Sequence, residues 1–299
     1  MDRIYVLWHK IPDTDAIVSS IVFAEYLQAL WFDAEAYKLW EINNETRFLL
    51  DNVWVRVPET IKTLEPKSKI ALVDHNEYTQ TIDNIWELEM HFLVDHHKIW
   101  SLSTEYPLFI RTEPLCSTSS IVYKLMKSEW IIPSKTSAIL MISAILSDSL
   151  HFRSPTTQEE DKHIVTRLNQ IAWIQDIEKY ALEMFNAKSD LWNITIEELI
   201  KLDYKEFDFN WKKAWIGTVE TTNPGYSMNR KDEILKWLQD IKSRDWLDLI
   251  LLSIVDILNE KNITFVIWEF EKKVIKDVFS IDTADNLADL WNRLSRKKQ

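Results

Sequence analysis

Three short apolar runs each stop abruptly at a cluster of chemistry-bearing side chains. Arg3-Ile4-Tyr5-Val6-Leu7-Trp8 leads into His9, Asp13 and Asp15; Lys69-Ile70-Ala71-Leu72-Val73 into Asp74-His75-Asn76; and Phe92-Leu93-Val94 into Asp95-His96-His97. Continuous apolar runs of this length read as strands buried on both faces, the pattern of a parallel sheet, and in open α/β sheets ligands sit outside the carboxyl ends of such strands. A fourth run, residues 139–146, is helical in pattern and delivers Asp148.

Between the runs the apolar period changes. Residues 16–30 carry it at helical spacing and a short strand follows at 34–37, so the chain opens β-α-β. Residues 52–64 read as a mixed connection and 83–88 as a turn of helix, and helical segments dominate 117–186 with breaks at Pro133 and Pro155. The nearly uncharged stretch 134–147 predicts a buried helix with Asp148 at its end. Beyond a polar stretch the pattern changes: 204–209, 213–221, 247–257 and 263–268 read as strands, 232–242 as a helix and 285–293 as a last helix. The expected fold is α/β: a mostly parallel sheet flanked by helices in an N-terminal domain, 1–187, then a linker, 188–193, and a second, smaller α/β domain, 194–299.

Composition narrows the class. A hydrophobic fraction of 46% over 299 residues suffices for two cores. No signal-peptide pattern opens the chain and no apolar run approaches the ~20 residues of a membrane span. With one cysteine there is no intrachain disulfide, so a cytoplasmic protein is expected, with Cys116 a buried, inert thiol. A net charge of −12 argues against general affinity for nucleic acid. A basic cluster nonetheless closes the chain at Arg293-Leu294-Ser295-Arg296-Lys297-Lys298.

Two glycines and fifteen tryptophans are anomalous, since ordinary usage of about 7% glycine would give roughly 21. Trp31, Trp130 and Trp173 each follow a helical run, at the position beyond the helix end that favours a left-handed backbone. The expectation is that many of these letters are glycine in the native protein, as when UGA codons that encode glycine are translated as tryptophan.

His9, Asp13, Asp15, Asp74, His96 and Asp148 mix imidazole with carboxylate, a donor set suited to Mn²⁺, Co²⁺, Fe²⁺ or Zn²⁺, and six such side chains can hold two ions. Taken singly, any acid or histidine at these strand ends has a local role open to it, Asp13 as a helix N-cap, for example, or the neighbouring His75 as a satisfied buried imidazole. Together, at the ends of buried segments, they point to two-metal hydrolysis.

The segments His9-Lys10-Ile11-Pro12-Asp13-Thr14-Asp15, Val73-Asp74-His75-Asn76-Glu77, Val94-Asp95-His96-His97 and Leu146-Ser147-Asp148-Ser149 resemble the motifs of the DHH phosphoesterase superfamily. The C-terminal Ser295-Arg296-Lys297-Lys298-Gln299 narrows the resemblance to the family II, manganese-dependent inorganic pyrophosphatases. It implies that His9, Asp13 and Asp74 hold one Mn²⁺ while Asp15, Asp74, His96 and Asp148 hold another, with Asp74 bridging. Co²⁺ could replace Mn²⁺, and Mg²⁺ would accompany the substrate. It implies further that His97 faces the substrate, and that Lys205, Arg296 and Lys297 bind its phosphates. The expected reaction is hydrolysis of diphosphate to two phosphates by a metal-bridging water, in a site between the domains of a homodimer formed through the N-terminal domain. Trp8, Trp40, Trp100 and Trp291 stand where that family has glycine, and an indole at Trp8 would disturb the first ligand.

Two rival readings stay open at this level. Another enzyme of the superfamily would act on oligonucleotides, nucleoside bisphosphates or polyphosphate, although the glycine-rich Gly-Gly-His segment of the nucleic-acid-cleaving members has no match here. A non-catalytic relative would bind a metal or nucleotide as a regulator, although all six ligands are kept and the first domain has no room for an inserted sensor.

Overall fold

The computed structural model describes residues 3–99, 102–189, 195–209 and 212–291. The chain divides into two compact units, Met1–Met184 and Phe185–Gln299.

The first unit carries β1 (Ile4–Leu7), α1 (Thr14–Ala29), β2 (Ala34–Tyr37), α2 (Asn44–Asn52), β3 (Lys69–Val73), β4 (Glu89–Asp95), β5 (Phe109–Thr112), α3 (Thr118–Ser128), α4 (Lys135–Asp148), α5 (Glu159–Ala172) and α6 (Ile177–Lys188), whose last residues pass into the second unit. Its five strands are all parallel, in the order β2-β1-β3-β4-β5. The chain therefore leaves β1 toward β2 and returns to the opposite side of β1 to form β3, which makes the β1/β3 boundary the switch point of the sheet.

Strands β1, β3 and β4 read as unbroken apolar runs because the sheet is covered twice. On one face α1 packs against α3 and α4, and α4 also against α5. Being enclosed from several sides, α1 and α4 are buried along most of their length, which explains the near absence of charge in α4. On the other face Leu7, Ile70, Leu72 and Leu93 pack with Leu39, Ile82 and Ile85. The cover there is largely irregular chain with short 3₁₀ turns at Tyr78–Gln80 and Ile85–Glu87.

The second unit contains α7 (Ile196–Ile200), β6 (Tyr204–Phe209), β7 (Lys212–Thr221), α8 (Pro224–Asn229), α9 (Lys231–Arg244), β8 (Leu249–Asp256), β9 (Lys261–Phe265), α10 (Glu269–Phe279) and β10 (Leu287–Asp289). Its mixed sheet has the order β10-β9-β8-β7-β6, with only β7 and β8 parallel. A parallel pair needs a crossover, and α8 and α9 supply it. Phe265, Leu252, Ile254, Ile234 and Leu238 lie in its core.

The structure departs from the sequence reading at several elements, and in the second unit α7, α8 and α10 were unmarked in it. The expected helix over 285–293 is replaced by β10, antiparallel to β9 with Leu287 opposite Phe265. Asp285 and Asn286 turn through φ of 52° and 59°, which breaks any helix there, and buried Ala288 and Leu290 flank exposed Asp289 at strand period. Helix α2 was unmarked because it has few apolar residues; Asn43 caps it by accepting from Thr46 N at 2.8 Å, and Leu49 and Leu50 are buried. The edge strand β5 is exposed at all four residues and so lacks an apolar run. Of the expected linker, Lys188 still belongs to α6, and residues 190–194 lie outside the described residues.

Tryptophan ends five helices in the left-handed region. Trp31, Trp54, Trp130, Trp173 and Trp246 follow α1, α2, α3, α5 and α9 with φ of 69°, 57°, 60°, 60° and 54°, and Trp291 has φ of 55°. Among the described residues no helix is long and apolar enough to cross a membrane.

Candidate metal centre

The switch point gathers the chemistry. His9 lies just beyond β1, Asp74 directly follows β3, and Asp95 ends β4 with His96 and His97 next in line. Asp13 is the N-cap of α1, accepting from Ala16 N at 2.9 Å, and Asp15 sits in that helix's first turn. Asp148 is the last residue of α4. Asp13 thus has the local role open to it from sequence and also lies in the cluster.

Three groups of side chains bring ligand atoms within 4.8 Å of one another: His9, Asp13 and Asp74; Asp15, His96 and Asp148; and Asp74, His96 and His97. Asp74 joins them. Its Oδ2 is 3.5 Å from His9 Nε2, and its Oδ1 is 3.3 Å from His96 Nε2, which in turn is 3.5 Å from Asp148 Oδ2.

The histidines are oriented as ligands. His9 Nδ1 is 2.8 Å from Lys10 O and His96 Nδ1 is 2.9 Å from Leu115 O. A carbonyl can only accept, so each Nδ1 carries its proton and each Nε2 turns a lone pair, in the neutral ring, toward carboxylate oxygen. Lone pairs facing carboxylates at these distances call for a cation between them. Asp74 Oδ2 is buried with no hydrogen-bond donor among the described residues. Asp74 also adopts φ of 61°, a strained backbone for a residue with a Cβ, of the kind that persists where surrounding structure enforces it. The donor set, the orphaned oxygen and the paired ring orientations fit divalent cations.

The supporting shell was largely invisible in the sequence. Asp15 is cradled by the start of α3: Oδ1 accepts from Ser117 Oγ at 2.7 Å, Ser119 Oγ at 2.7 Å and Ser119 N at 3.1 Å, and Oδ2 from Thr118 N at 2.6 Å. Thr118 Oγ1 donates to Asp74 Oδ1 at 2.9 Å. Asp95 Oδ1 accepts from His97 N at 3.0 Å and pairs with His97 Nδ1 at 2.8 Å, while Asn76 Nδ2 donates to Asp95 Oδ2 at 2.6 Å. The only sequence cue to the cradle was the run of hydroxyls Ser117-Thr118-Ser119-Ser120.

Electrostatics follow from this packing. Burial, then the charge of Asp74, pushes the Asp15 carboxyl up to about 7. Burial also acts to raise Asp74, but the His9 and His96 imidazoles facing its two oxygens and the charge of His97 outweigh it and hold Asp74 well below the ordinary carboxylate range. Asp95 is held low the same way, burial being outweighed by His97. Burial, then the charge of His9, lowers His75 to about 4. His75 is a buried neutral imidazole bonded to Val73 O at 2.8 Å, outside the three ligand groups. Cys116 is buried and its thiol pushed far up, chiefly by burial, consistent with an inert role.

All six expected ligands and His97 therefore meet in one place. Lys205 lies in β6 of the second unit, and Arg296 and Lys297 lie outside the described residues. Trp8, beside the first ligand, is fully buried, and its Nε1–H has no hydrogen-bond acceptor among the described residues.

Comparison with known proteins agrees with the geometry. Residues 3–145 match the DHH family, N-terminal domain, and residues 182–299 match the DHHA2 domain. The chain is 44% identical to a probable manganese-dependent inorganic pyrophosphatase of Deinococcus radiodurans, covering 98% of this chain and 95% of the relative. It is 37% identical to one from Clostridium acetobutylicum, with 100% and 96% covered. A crystal structure of a putative family II inorganic pyrophosphatase from Methanococcus jannaschii superposes with a TM-score of 0.88 at 35% identity, covering 99% of this chain and 96% of that one. With both domain families matched in order, relatives 37–44% identical over nearly their whole length and a solved structure of the same fold, the chain belongs to the family II, manganese-dependent inorganic pyrophosphatases of the DHH superfamily.

Proposed function

We propose that the protein hydrolyses inorganic pyrophosphate to two phosphates with two Mn²⁺ per chain, one held by His9, Asp13 and Asp74 and the other by Asp15, Asp74, His96 and Asp148. The observation that carries this reading is Asp74, a single carboxylate whose two oxygens face two different histidines at 3.5 and 3.3 Å. Co²⁺ suits the same donors, and Mg²⁺ is the natural companion of the substrate's phosphate oxygens.

When bound, such ions supply Lewis-acid polarisation of phosphoryl oxygen and activation of water near neutral pH. The chain's own residues do the rest. Asp95, itself fixed by Asn76, pins the His97 ring through both its backbone and side-chain nitrogens. The His97 side chain is 21% exposed, against 10% for His9 and 2% for His96, so it is the imidazole best able to meet a substrate. With Nδ1 committed to Asp95, Nε2 is the atom that holds the proton for the departing phosphate. Lys205, Arg296 and Lys297 supply positive charge for the phosphate oxygens, the arginine by its planar fork.

We further expect a cytoplasmic homodimer formed through the first unit. Its edge strand β5 leaves Phe109 and Ile110 exposed, and an uncovered edge favours pairing with another copy. Light scattering that gives a monomer mass under active conditions would remove the dimer from the account. The function is tested by phosphate release from pyrophosphate with added Mn²⁺, beside hydrolysis of a dinucleotide. Rapid release from pyrophosphate alone is expected, and preference for the dinucleotide would overturn the reading.

A further inference from the structure

Glu45, in the first turn of α2, is fully buried although no expected ligand lies near it in sequence. One of its oxygens, Oε2, accepts from Thr14 Oγ1 at 2.8 Å and from Ser147 Oγ at 2.8 Å. Thr14 stands between Asp13 and Asp15, and Ser147 immediately precedes Asp148. A buried carboxylate is costly unless it is hydrogen-bonded, and this one bonds to two residues 133 positions apart, each next to an expected ligand.

We propose that Glu45 is a positioning residue that sets the spacing of the metal-binding side chains by tying the Asp13–Asp15 turn to the end of α4. The inference rests on the proposed two-metal reading. Ligand groups tolerate only small displacements, and groups that hydrogen-bond a ligand typically change metal affinity by about 10–100-fold when removed; Glu45 acts one step further out, through the neighbours of ligands, so its effect lies at or below the low end of that range. Thr14 Oγ1 lies 3.1 Å from Thr46 Oγ1 as well, so two residues of α2 hold the same hydroxyl.

The test is Mn²⁺ binding by calorimetry, measured separately from pyrophosphate hydrolysis. Glu45→Ala is expected to weaken Mn²⁺ binding severalfold, up to about tenfold, and to lower kcat with KM for pyrophosphate little changed. Glu45→Gln keeps an acceptor oxygen for both hydroxyls and is expected to restore most of the loss. Should Glu45→Ala fail to fold, Ser147→Ala and Thr14→Val each remove one arm and are expected to weaken Mn²⁺ binding in a folded chain. Unchanged Mn²⁺ affinity in these variants overturns the proposal, as does a Glu45→Gln chain as impaired as Glu45→Ala. Normal Mn²⁺ binding without pyrophosphate hydrolysis in the parent chain would instead sink the proposed function.

The left-handed tryptophans carry an independent inference. Three lie outside the described residues (Trp100, Trp192 and Trp211), and six of the other twelve have φ between 54° and 69°. For a bulky side chain that backbone is an outlier, whereas glycine adopts it freely. The hydrogen bonds are those of helix ends built for glycine. Phe32 N reaches Leu27 O at 3.0 Å and Trp31 N reaches Gln28 O at 2.9 Å; Val55 N–Leu50 O and Trp54 N–Asp51 O repeat the pair at 3.0 and 3.3 Å; Ile131 N–Met126 O and Trp130 N–Lys127 O repeat it at 2.8 and 3.2 Å. All six indoles are 60–94% exposed and so have little packing to justify them. By contrast Trp215 is buried in β7 and Trp237 packs on the second core from within α9.

We infer that Trp31, Trp54, Trp130, Trp173, Trp246 and Trp291 stand for glycine in the native protein, decoded from UGA codons that its host reads as glycine. Peptide sequencing by mass spectrometry of the protein purified from its source tests this. Glycine is expected at those six positions, with tryptophan at 215 and 237 as internal controls. Tryptophan at the six positions overturns the inference.

Discussion

Replacing the same residue type by glycine at two places should change stability in opposite directions. Trp173 caps α5 with φ 60° and ψ 39°, its N–H bonded to Asn169 O. A left-handed backbone costs a residue with a Cβ about 1–2 kcal/mol. Glycine removes that cost and gives back about 0.5–1 kcal/mol through the greater freedom of the unfolded chain. The indole is 79% exposed, so its loss forfeits little burial. Trp173→Gly is therefore expected to stabilise the chain by about 0.5–1 kcal/mol. Trp237 lies inside α9 and packs on the second core. There glycine costs about 1 kcal/mol of helix propensity and leaves lost packing besides, so Trp237→Gly should destabilise by about 2–3 kcal/mol. Trp173→Ala is the control, since it deletes the indole and keeps the Cβ that causes the strain. Urea unfolding of the metal-free chain reads all three, with attention to the unit each probe reports on. The reasoning is refuted if Trp173→Gly fails to stabilise, or if Trp173→Ala stabilises as much.

His75 makes stability depend on pH. Its imidazole is held neutral down to about 4 in the fold but takes a proton below the ordinary 6.5 when unfolded. The unfolded state therefore binds more protons between those values, so this contribution is complete above 6.5 and is lost as pH falls toward 4, by at most about 3 kcal/mol. Denaturation of the metal-free chain from pH 4 to 7 should show the slope, and His75→Gln should flatten it; an equal slope in the variant removes His75 as the cause. Lys205→Ala, and separately Arg296→Ala with Lys297→Ala, should raise KM for pyrophosphate or lower kcat while leaving bound Mn²⁺ unchanged. Full activity in a chain truncated after Leu294 would return the C-terminal cluster to the status of a solvated tail.

What could be read from sequence was what local pattern carries. Buried parallel strands are apolar on both faces, so β1, β3 and β4 announced themselves, and the side chains that end them form the candidate site. The α1 and α4 segments were legible because helical spacing or absence of charge marks burial. The edge strand β5 and the short β10 were not, because one is exposed throughout and the other is defined by a turn at Asp285 and Asn286 and by pairing with β9. The shell around the ligands was hidden for another reason: Asp15 and Ser117 are 102 positions apart, as are Glu45 and Ser147. Serines and threonines are common everywhere, and only the fold reveals which of them meet a carboxylate.

The shared carboxylate is the point on which the two-metal account turns. Metal content after gel filtration in Mn²⁺, measured for the parent chain and for Asp74→Asn, tests it directly. The amide is nearly isosteric but neutral and cannot offer charged oxygen to two ions, so the parent should retain two Mn²⁺ per chain and the variant should lose tight binding at both positions together. An Asp74→Asn chain that still holds two Mn²⁺ tightly would contradict the account.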